Sequence, residues 1–194
     1  MIIALIGASG SGKSTIEKRL NEDYGYEKII SYTTRNPRTG ETNGVDYNFI
    51  TNDEFQKLID DDKMAEYDEY SQGRLYGTLK EDYTSGDKVI VLTPNGYRQL
   101  KQMCDDANSI VSVLVNATLG TRIKRYIDRC GVDNFNFDDK NEIAARVERD
   151  FGMFLGLEKE VDIVMDNNEN TDMEFFVKLL LAKIKTLTKE RGLN

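Results

Sequence analysis

Three observations on the 194-residue sequence predict an α/β fold, a parallel sheet covered by helices on both faces. Short apolar runs rich in Val and Ile recur along the chain, segments of helical period lie between them, and the first run passes directly into a glycine-rich loop.

The first run, residues 2–6, reads as a buried strand, because it lacks the basic flank and cleavage site of a signal peptide. Further strands are expected at 29–31, 89–92, 110–115 and 161–165. Ile143, Val147, Phe151 and Phe154 share one helical stripe, as do Phe176, Leu180, Ile184 and Leu187. Both stripes are read as facing the core. Two segments break the alternation. From about 32 to 85 the chain holds tyrosine-rich strand-like pieces, "DYNFI" and "MAEYDEY", and a helix over 53–60 opened by an Asn52 cap, which together suggest an inserted small sheet. Around 129–140 it is polar and turn-like, between helices bearing Arg125, Arg129 and Arg146, which suits a lid. With no repeat, low-complexity tract or Pro/Gly/Ser linker, these are expected as insertions in one domain. Its core would comprise 1–31, 86–121 and 157–194, with an insertion at about 32–85 and a lid at about 122–156.

Composition narrows the chemistry. Lys and Arg number 26 against 34 Asp and Glu, a net charge of −8, so a broad basic face for nucleic acid is not expected. Any anion site must concentrate its positive charge locally. Histidine is absent, which excludes Ser-His-Asp and Cys-His catalysis and imidazole metal ligation. Cys104 and Cys130 are too far apart for a CxxC pair and read as free thiols in a reducing compartment. No run of about 18 apolar residues occurs, so no membrane span is expected and the setting is read as cytoplasmic.

"GASGSGKST", Gly7 to Thr15, satisfies G-x-x-x-x-G-K-[ST] with a strand before it and an amphipathic helix after it. Glycines let the backbone curl so that the N–H groups of Ala8, Ser9, Gly10, Ser11 and Gly12 can face one concavity, and the helix N-terminus adds a positive dipole end. Lys13 is expected to reach the β and γ phosphates of a nucleoside triphosphate, and the Ser14 hydroxyl to ligate Mg²⁺. A second anion site is suggested by "SYTTRNPRTGETNGVDYNF". There Arg35 and Arg38 flank a Pro37 turn, their planar forks suit a phosphate, and Tyr47 and Tyr76 can each donate a phenolic hydrogen bond. Two anion sites in one small domain imply transfer between two phosphorylated molecules.

In matching order along nearly the whole chain, "GASGSGKST", "SYTTRNPRTGETNGVDYNFIT", "LYGT" and "KRYIDR…IAARV" resemble a guanylate kinase. The resemblance implies a P-loop kinase fold: a five-stranded parallel core sheet flanked by helices, an inserted small mixed sheet and a helical lid. It also implies ATP-dependent phosphorylation of GMP with Mg²⁺ as cofactor; dGMP is expected as an acceptor too, since no residue named here reads the 2′ position, and the protein is expected as a monomer or homodimer. By the same resemblance Ser31, Arg35, Arg38, Glu41, Tyr47, Glu66, Tyr76 and Thr78 form the GMP site. Gly7 to Thr15 hold ATP, with Arg125 beside them and Asn167 near the adenine, while Arg129 and Arg146 close over the transferring group. Chemistry agrees with the imported set: guanine offers N1–H and its 2-amine as adjacent donors, which one carboxylate such as Glu66 can accept, whereas adenine offers an acceptor at N1.

One stretch departs from the family's pattern. Where the resemblance leads one to expect acids, as in D-x-D-x-Q-G, this chain has "VLTPNG", with Val91 and Thr93 at the acidic positions. Thr93 can still hydrogen-bond the guanine amine, but it cannot orient Mg²⁺ waters as a carboxylate would. Ala8 replaces the family's usual proline and keeps the backbone donors. Two other readings remain at this point: a related P-loop kinase acting on another nucleoside monophosphate or a phosphorylated sugar, and a guanylate-kinase-like module that binds a phosphorylated peptide without catalysis.

Overall fold

The computed structural model describes residues 1–71, 73–83, 86–104, 109–131 and 137–192. Its centre is a five-stranded parallel sheet in the order β2-β7-β1-β8-β9: β1 (Ile2–Ile6), β2 (Glu27–Lys28), β7 (Lys88–Leu92), β8 (Ile110–Asn116) and β9 (Ile163–Asp166). Side chains alternate across the strands, as the period of two requires. Ile3, Leu5, Val111, Val113 and Val115 pack with Ile16 and Leu20 of α1 (Lys13–Tyr24) and with Phe176, Leu180 and Ile184 of α6 (Met173–Glu190). On the opposite face Ile2, Ala4, Ile6, Ile90, Leu92 and Leu114 meet Tyr97 and Leu100 of α3 (Pro94–Met103). A sheet buried on both sides accounts for the near-continuous apolar runs.

The interrupting segment between β2 and β7 builds a second, mixed sheet in the order β4-β3-β6-β5: β3 (Tyr32–Thr33), β4 (Asn48–Phe49), β5 (Met64–Ser71) and β6 (Arg74–Leu79). β3 and β4 are parallel, and the other pairs antiparallel. A satellite core of Phe55, Met64 and Leu79 seats α2 (Asn52–Asp60) beneath it. Beyond β8, α4 (Leu119–Cys130) and α5 (Phe137–Phe154) supply the arginine-bearing pair.

Several local expectations are corrected. The helix after β4 is capped by Thr51, not Asn52: the Thr51 hydroxyl accepts from the Glu54 N–H, and the Glu54 carboxylate accepts from the Thr51 N–H at 2.8 Å, a reciprocal capping box. The strand expected at 29–31 is shifted to β2, although Ile29 still donates to Val89 O at 3.0 Å. The last strand begins at Ile163, because the Asp162 side chain accepts from the Ser112 N–H and hydroxyl, each at 2.8 Å, and turns the chain into the sheet. Phe151, expected on a core stripe, is 75% exposed. The polar turn expected at 129–140 is partly helix, α4 ending at Cys130 and α5 starting at Phe137; residues 132–136 lie outside the described residues. Cys104 and Cys130 are in no disulfide. Among the described residues no helix is long and apolar enough to cross a membrane.

Candidate active site

One cleft of about 830 Å³ runs from the loop after β1 to the concave side of the mixed sheet. At its first end the loop closes on itself: the Ser11 N–H donates to Ala8 O at 3.1 Å, and Gly12, at φ 96°, caps α1. A Cβ on Gly7 would stand 2.4 Å from the Val115 carbonyl oxygen, and one on Gly12 would stand 2.2 Å from Asn167 Nδ2. Fixed backbone leaves Gly7 no room for a side chain, while at Gly12 the left-handed φ favours glycine and a Cβ would displace the Asn167 amide. Asn167 is almost fully buried and donates to Ser11 O at 2.8 Å. Arg125 donates to Gly10 O at 3.1 Å and to Asn167 Oδ1 at 3.4 Å, so these two residues brace the loop from behind. Lys13 donates to Gly7 O at 2.6 Å and Ala8 O at 3.1 Å. Burial lowers its pKa to about 8, with Asp150 opposing, so it remains cationic at neutral pH.

At the other end Arg35, 7% exposed, donates to Glu41 Oε1 at 2.9 Å and to Asn36 O at 2.7 Å, and its guanidinium lies 5.4 Å from the centre of the Tyr47 ring. The Arg38 N–H donates to Glu41 Oε2 at 2.7 Å. Glu41 thus holds both arginines from one carboxylate. Burial, then the like charges of Arg35 and Arg146, press the Arg38 pKa down, with a smaller contribution from Arg129. Four guanidiniums from two separate segments therefore converge on one region, an arrangement that favours an anion between them. Tyr47 and Tyr76 line the same wall with ring centres 5.9 Å apart, and burial pushes the Tyr47 phenol up to about 12, which keeps it a donor.

Deeper along the sheet lies Glu66, 4% exposed. Burial raises its carboxyl to about 7 against the opposing hydrogen bond from Thr78. Thr78 is fully buried behind it and donates to Glu66 Oε1 at 2.8 Å; the Tyr83 hydroxyl, 2.7 Å from Thr78 Oγ1, must then donate to Thr78. Gly96 packs directly against it, where a Cβ would stand 2.3 Å from Glu66 Oε2. Ser31, Thr93 and Val91 line the same region, and Ser14 and Thr15 are exposed to the cleft in the first turn of α1.

Some residues with evident work to do were not singled out from the sequence. Asp150, 2% exposed, accepts from the Ser9 N–H at 3.2 Å and the Tyr70 hydroxyl at 3.3 Å, and is paired with Arg122 and Arg149. Arg122 also donates to Ser9 O at 2.8 Å, and Arg146 to Ser9 Oγ at 2.9 Å. Helical spacing was the available signal: Arg122 lies three residues before Arg125, and Asp150 four after Arg146. Glu17 is buried on the cleft wall, its carboxyl raised to about 7 by burial against the attraction of Lys28 3.7 Å away. Asp68 lines the cleft two positions beyond Glu66 on β5.

A glycine-rich loop, an arginine cluster and a buried carboxylate in one cleft suit an enzyme with two phosphorylated substrates, and comparison with known proteins gives the family. The guanylate kinase family model matches residues 1–180. The chain belongs to the guanylate kinase family. A guanylate kinase of Fusobacterium nucleatum is 36% identical over 169 residues, covering 84% of this chain and 85% of that protein. One from Lactobacillus delbrueckii is 40% identical over 109 residues, 53% of each chain, so this alignment spans about half of that relative. The crystal structure of a guanylate kinase from Anaplasma phagocytophilum superposes with a TM-score of 0.70 at 22% identity, over 98% of this chain and 85% of that one, a likeness of fold. The five-stranded parallel sheet and second mixed sheet expected of the family are both present.

Proposed function

We propose that this chain transfers the γ-phosphoryl group of ATP to GMP, and to dGMP, giving ADP and the corresponding diphosphate. The observation that carries it is one continuous cleft lined at one end by Gly7, Gly12 and Lys13, at the other by Arg35, Arg38 and Tyr47, with Glu66 on the wall beyond. In this reading the loop after β1 holds the phosphates of ATP, and Arg35, Arg38, Tyr47 and Tyr76 hold the phosphate of GMP. Glu66 accepts from N1–H and the 2-amine of guanine. Glu41 and Thr78 act through neighbours, Glu41 by fixing the two arginines and Thr78 by fixing Glu66. Ser31 and Thr93 complete the wall around the base. Arg125 and Asn167 shape the loop on the ATP side.

The acceptor phosphate is a dianion near neutral pH and is already nucleophilic, so a chain without histidine lacks nothing for this reaction. Alignment and charge neutralisation remain, and Lys13, Arg129 and Arg146 supply cationic groups on the wall between the two phosphate sites. The Ser14 hydroxyl, exposed to the cleft at the start of α1, is an oxygen donor suited to a hard cation, and Ser14 would hold Mg²⁺. When bound, Mg²⁺ supplies charge neutralisation on the phosphate oxygens. All these residues come from one chain, so the reaction as read requires no second copy. Two cysteines outside any disulfide fit a cytoplasmic setting.

A coupled assay of ADP formation with ATP and Mg²⁺ tests the reading, with GMP, dGMP, AMP, CMP, UMP and ribose 1,5-bisphosphate as acceptors. Turnover is expected with GMP and dGMP. Turnover confined to another acceptor, or binding of ATP and GMP without turnover, would overturn it.

A further inference from the structure

The turn after β7, where Val91 and Thr93 leave no carboxylate, is not without one in space. β5 alternates, so that Glu66, Asp68 and Tyr70 line the cleft while Tyr67 and Glu69 are exposed. Asp68 accepts from the Thr93 hydroxyl at 2.6 Å through Oδ2 and from the Asn95 side-chain amide at 3.2 Å through Oδ1. The Thr93 oxygen in turn accepts from the Gly96 N–H at 3.0 Å, capping α3. Its only proton is therefore committed to Asp68. The two side chains occupying that turn, Thr93 and Asn95, both serve to fix an acid lent by the neighbouring strand.

The count of acceptors shows what the borrowed carboxylate is suited to do. A carboxylate offers about four lone-pair directions. Thr93 and Asn95 use two on Asp68, and Thr78 uses one on Glu66. Guanine presents three donor hydrogens along one edge, N1–H and the two of the 2-amine. A single carboxylate engages two of them in a forked pair, which leaves the outer amine hydrogen needing an acceptor further along. Asp68 is the next carboxylate along the cleft wall, two residues from Glu66 on the same face of the strand.

We propose that Asp68 accepts the outer hydrogen of the guanine 2-amine and so determines selectivity for guanine over hypoxanthine, the same base without that amine. The inference rests on the reading of the site as a GMP site. Thr93 and Asn95 are positioning residues that hold the Asp68 carboxylate at the right angle. Glu66 recognises N1–H, which both bases share, and Asp68 adds the part that only guanine satisfies. With hypoxanthine bound, the Asp68 carboxylate would face the cleft with an acceptor unmatched, which is why one group separates the two bases.

The test compares kcat/KM for GMP and inosine 5′-monophosphate in the wild type, Asp68→Asn, Asp68→Ala and Glu66→Gln. For Asp68→Asn and Asp68→Ala the preference for GMP over inosine monophosphate is expected to fall about ten- to a hundredfold, the worth of a charge-assisted hydrogen bond. Turnover of inosine monophosphate itself should rise, because the acceptor left unmatched by hypoxanthine is gone. Glu66→Gln should lower turnover of both. A wild type that phosphorylates GMP, with Asp68 variants that keep the wild-type preference or lose both acceptors equally, would overturn the inference and leave the GMP reading standing. A wild type that does not phosphorylate GMP would overturn both.

Discussion

The two proposed anion sites meet in one cleft and are built from different material. The loop between β1 and α1 is made of backbone: it leaves no room for a Cβ at Gly7, it favours glycine at Gly12 through a left-handed φ, and it is braced from behind by Asn167 and Arg125. The facing site is made of side chains, with Arg35 and Arg38 held by Glu41, Glu66 held by Thr78, and Asp68 held by Thr93. A backbone site is specified by where side chains must be absent, and that requirement is written into contiguous sequence. A side-chain site is specified in pairs, each ligand group with a partner that holds it, and the partners are scattered along the chain.

The contrast can be broken most severely at Lys13, the cationic side chain that the backbone site adds to its own N–H groups. Lys13→Ala is expected to lower kcat about a thousandfold or more in the ADP assay while GMP still binds, as seen by calorimetry. Next in size, Glu66→Gln should reduce kcat/KM for GMP by about a hundredfold, because an amide offers one acceptor and presents an NH₂ to a row of donors. Arg35→Lys follows. A point charge replaces a fork that also stacks on Tyr47, so the KM for GMP should rise about tenfold with a smaller change in kcat.

A pH series sharpens the difference further. Burial raises the Glu66 carboxyl from its ordinary 4.5 to about 7, so the neutral acid favours the folded protein. That stabilisation is complete below pH 4.5 and is lost as pH rises through about 7. Urea unfolding should show wild type losing stability relative to Glu66→Gln between pH 5 and 8, while GMP affinity in wild type improves over the same interval. The smallest effect belongs to the scaffold under the side-chain site. Thr51→Ala removes the capping box of α2 and should cost about 1 kcal/mol in the same denaturation, with kinetics unchanged.

The same contrast explains what could be read in advance. The phosphate loop was legible from residues alone, since glycine spacing, Lys13 and the flanking strand and helix are one motif. Arg35 and Arg38 were suggested by a turn with two forks, but Ser31, Glu41, Glu66 and Thr78 entered only through the family resemblance. Asp68 escaped because its partners, Thr93 and Asn95, lie more than twenty residues away and the turn they occupy looked depleted. Asp150 escaped because a charged residue in the middle of a polar helix resembles a solvated one until packing buries it. Phe151 erred the other way: it continues the apolar period but is 75% exposed, while Phe154 one turn on packs against the core.

The contact between Gln99 of α3 and β5 has a consequence for encounters between molecules. The Gln99 side-chain amide accepts from the Tyr67 N–H at 3.1 Å and donates to the Tyr67 carbonyl at 2.7 Å, satisfying both main-chain groups of one edge-strand residue as a neighbouring strand would. The opposite edge, β4, is only two residues long, and the pairing of β5 with β6 is interrupted by register shifts at Met64/Glu66 and Glu69/Ser71. An inserted sheet with a concave polar face would otherwise offer its outer strand to any extended chain that passed. Plugged on one side and truncated on the other, it is guarded against strand-to-strand association even with its cleft empty.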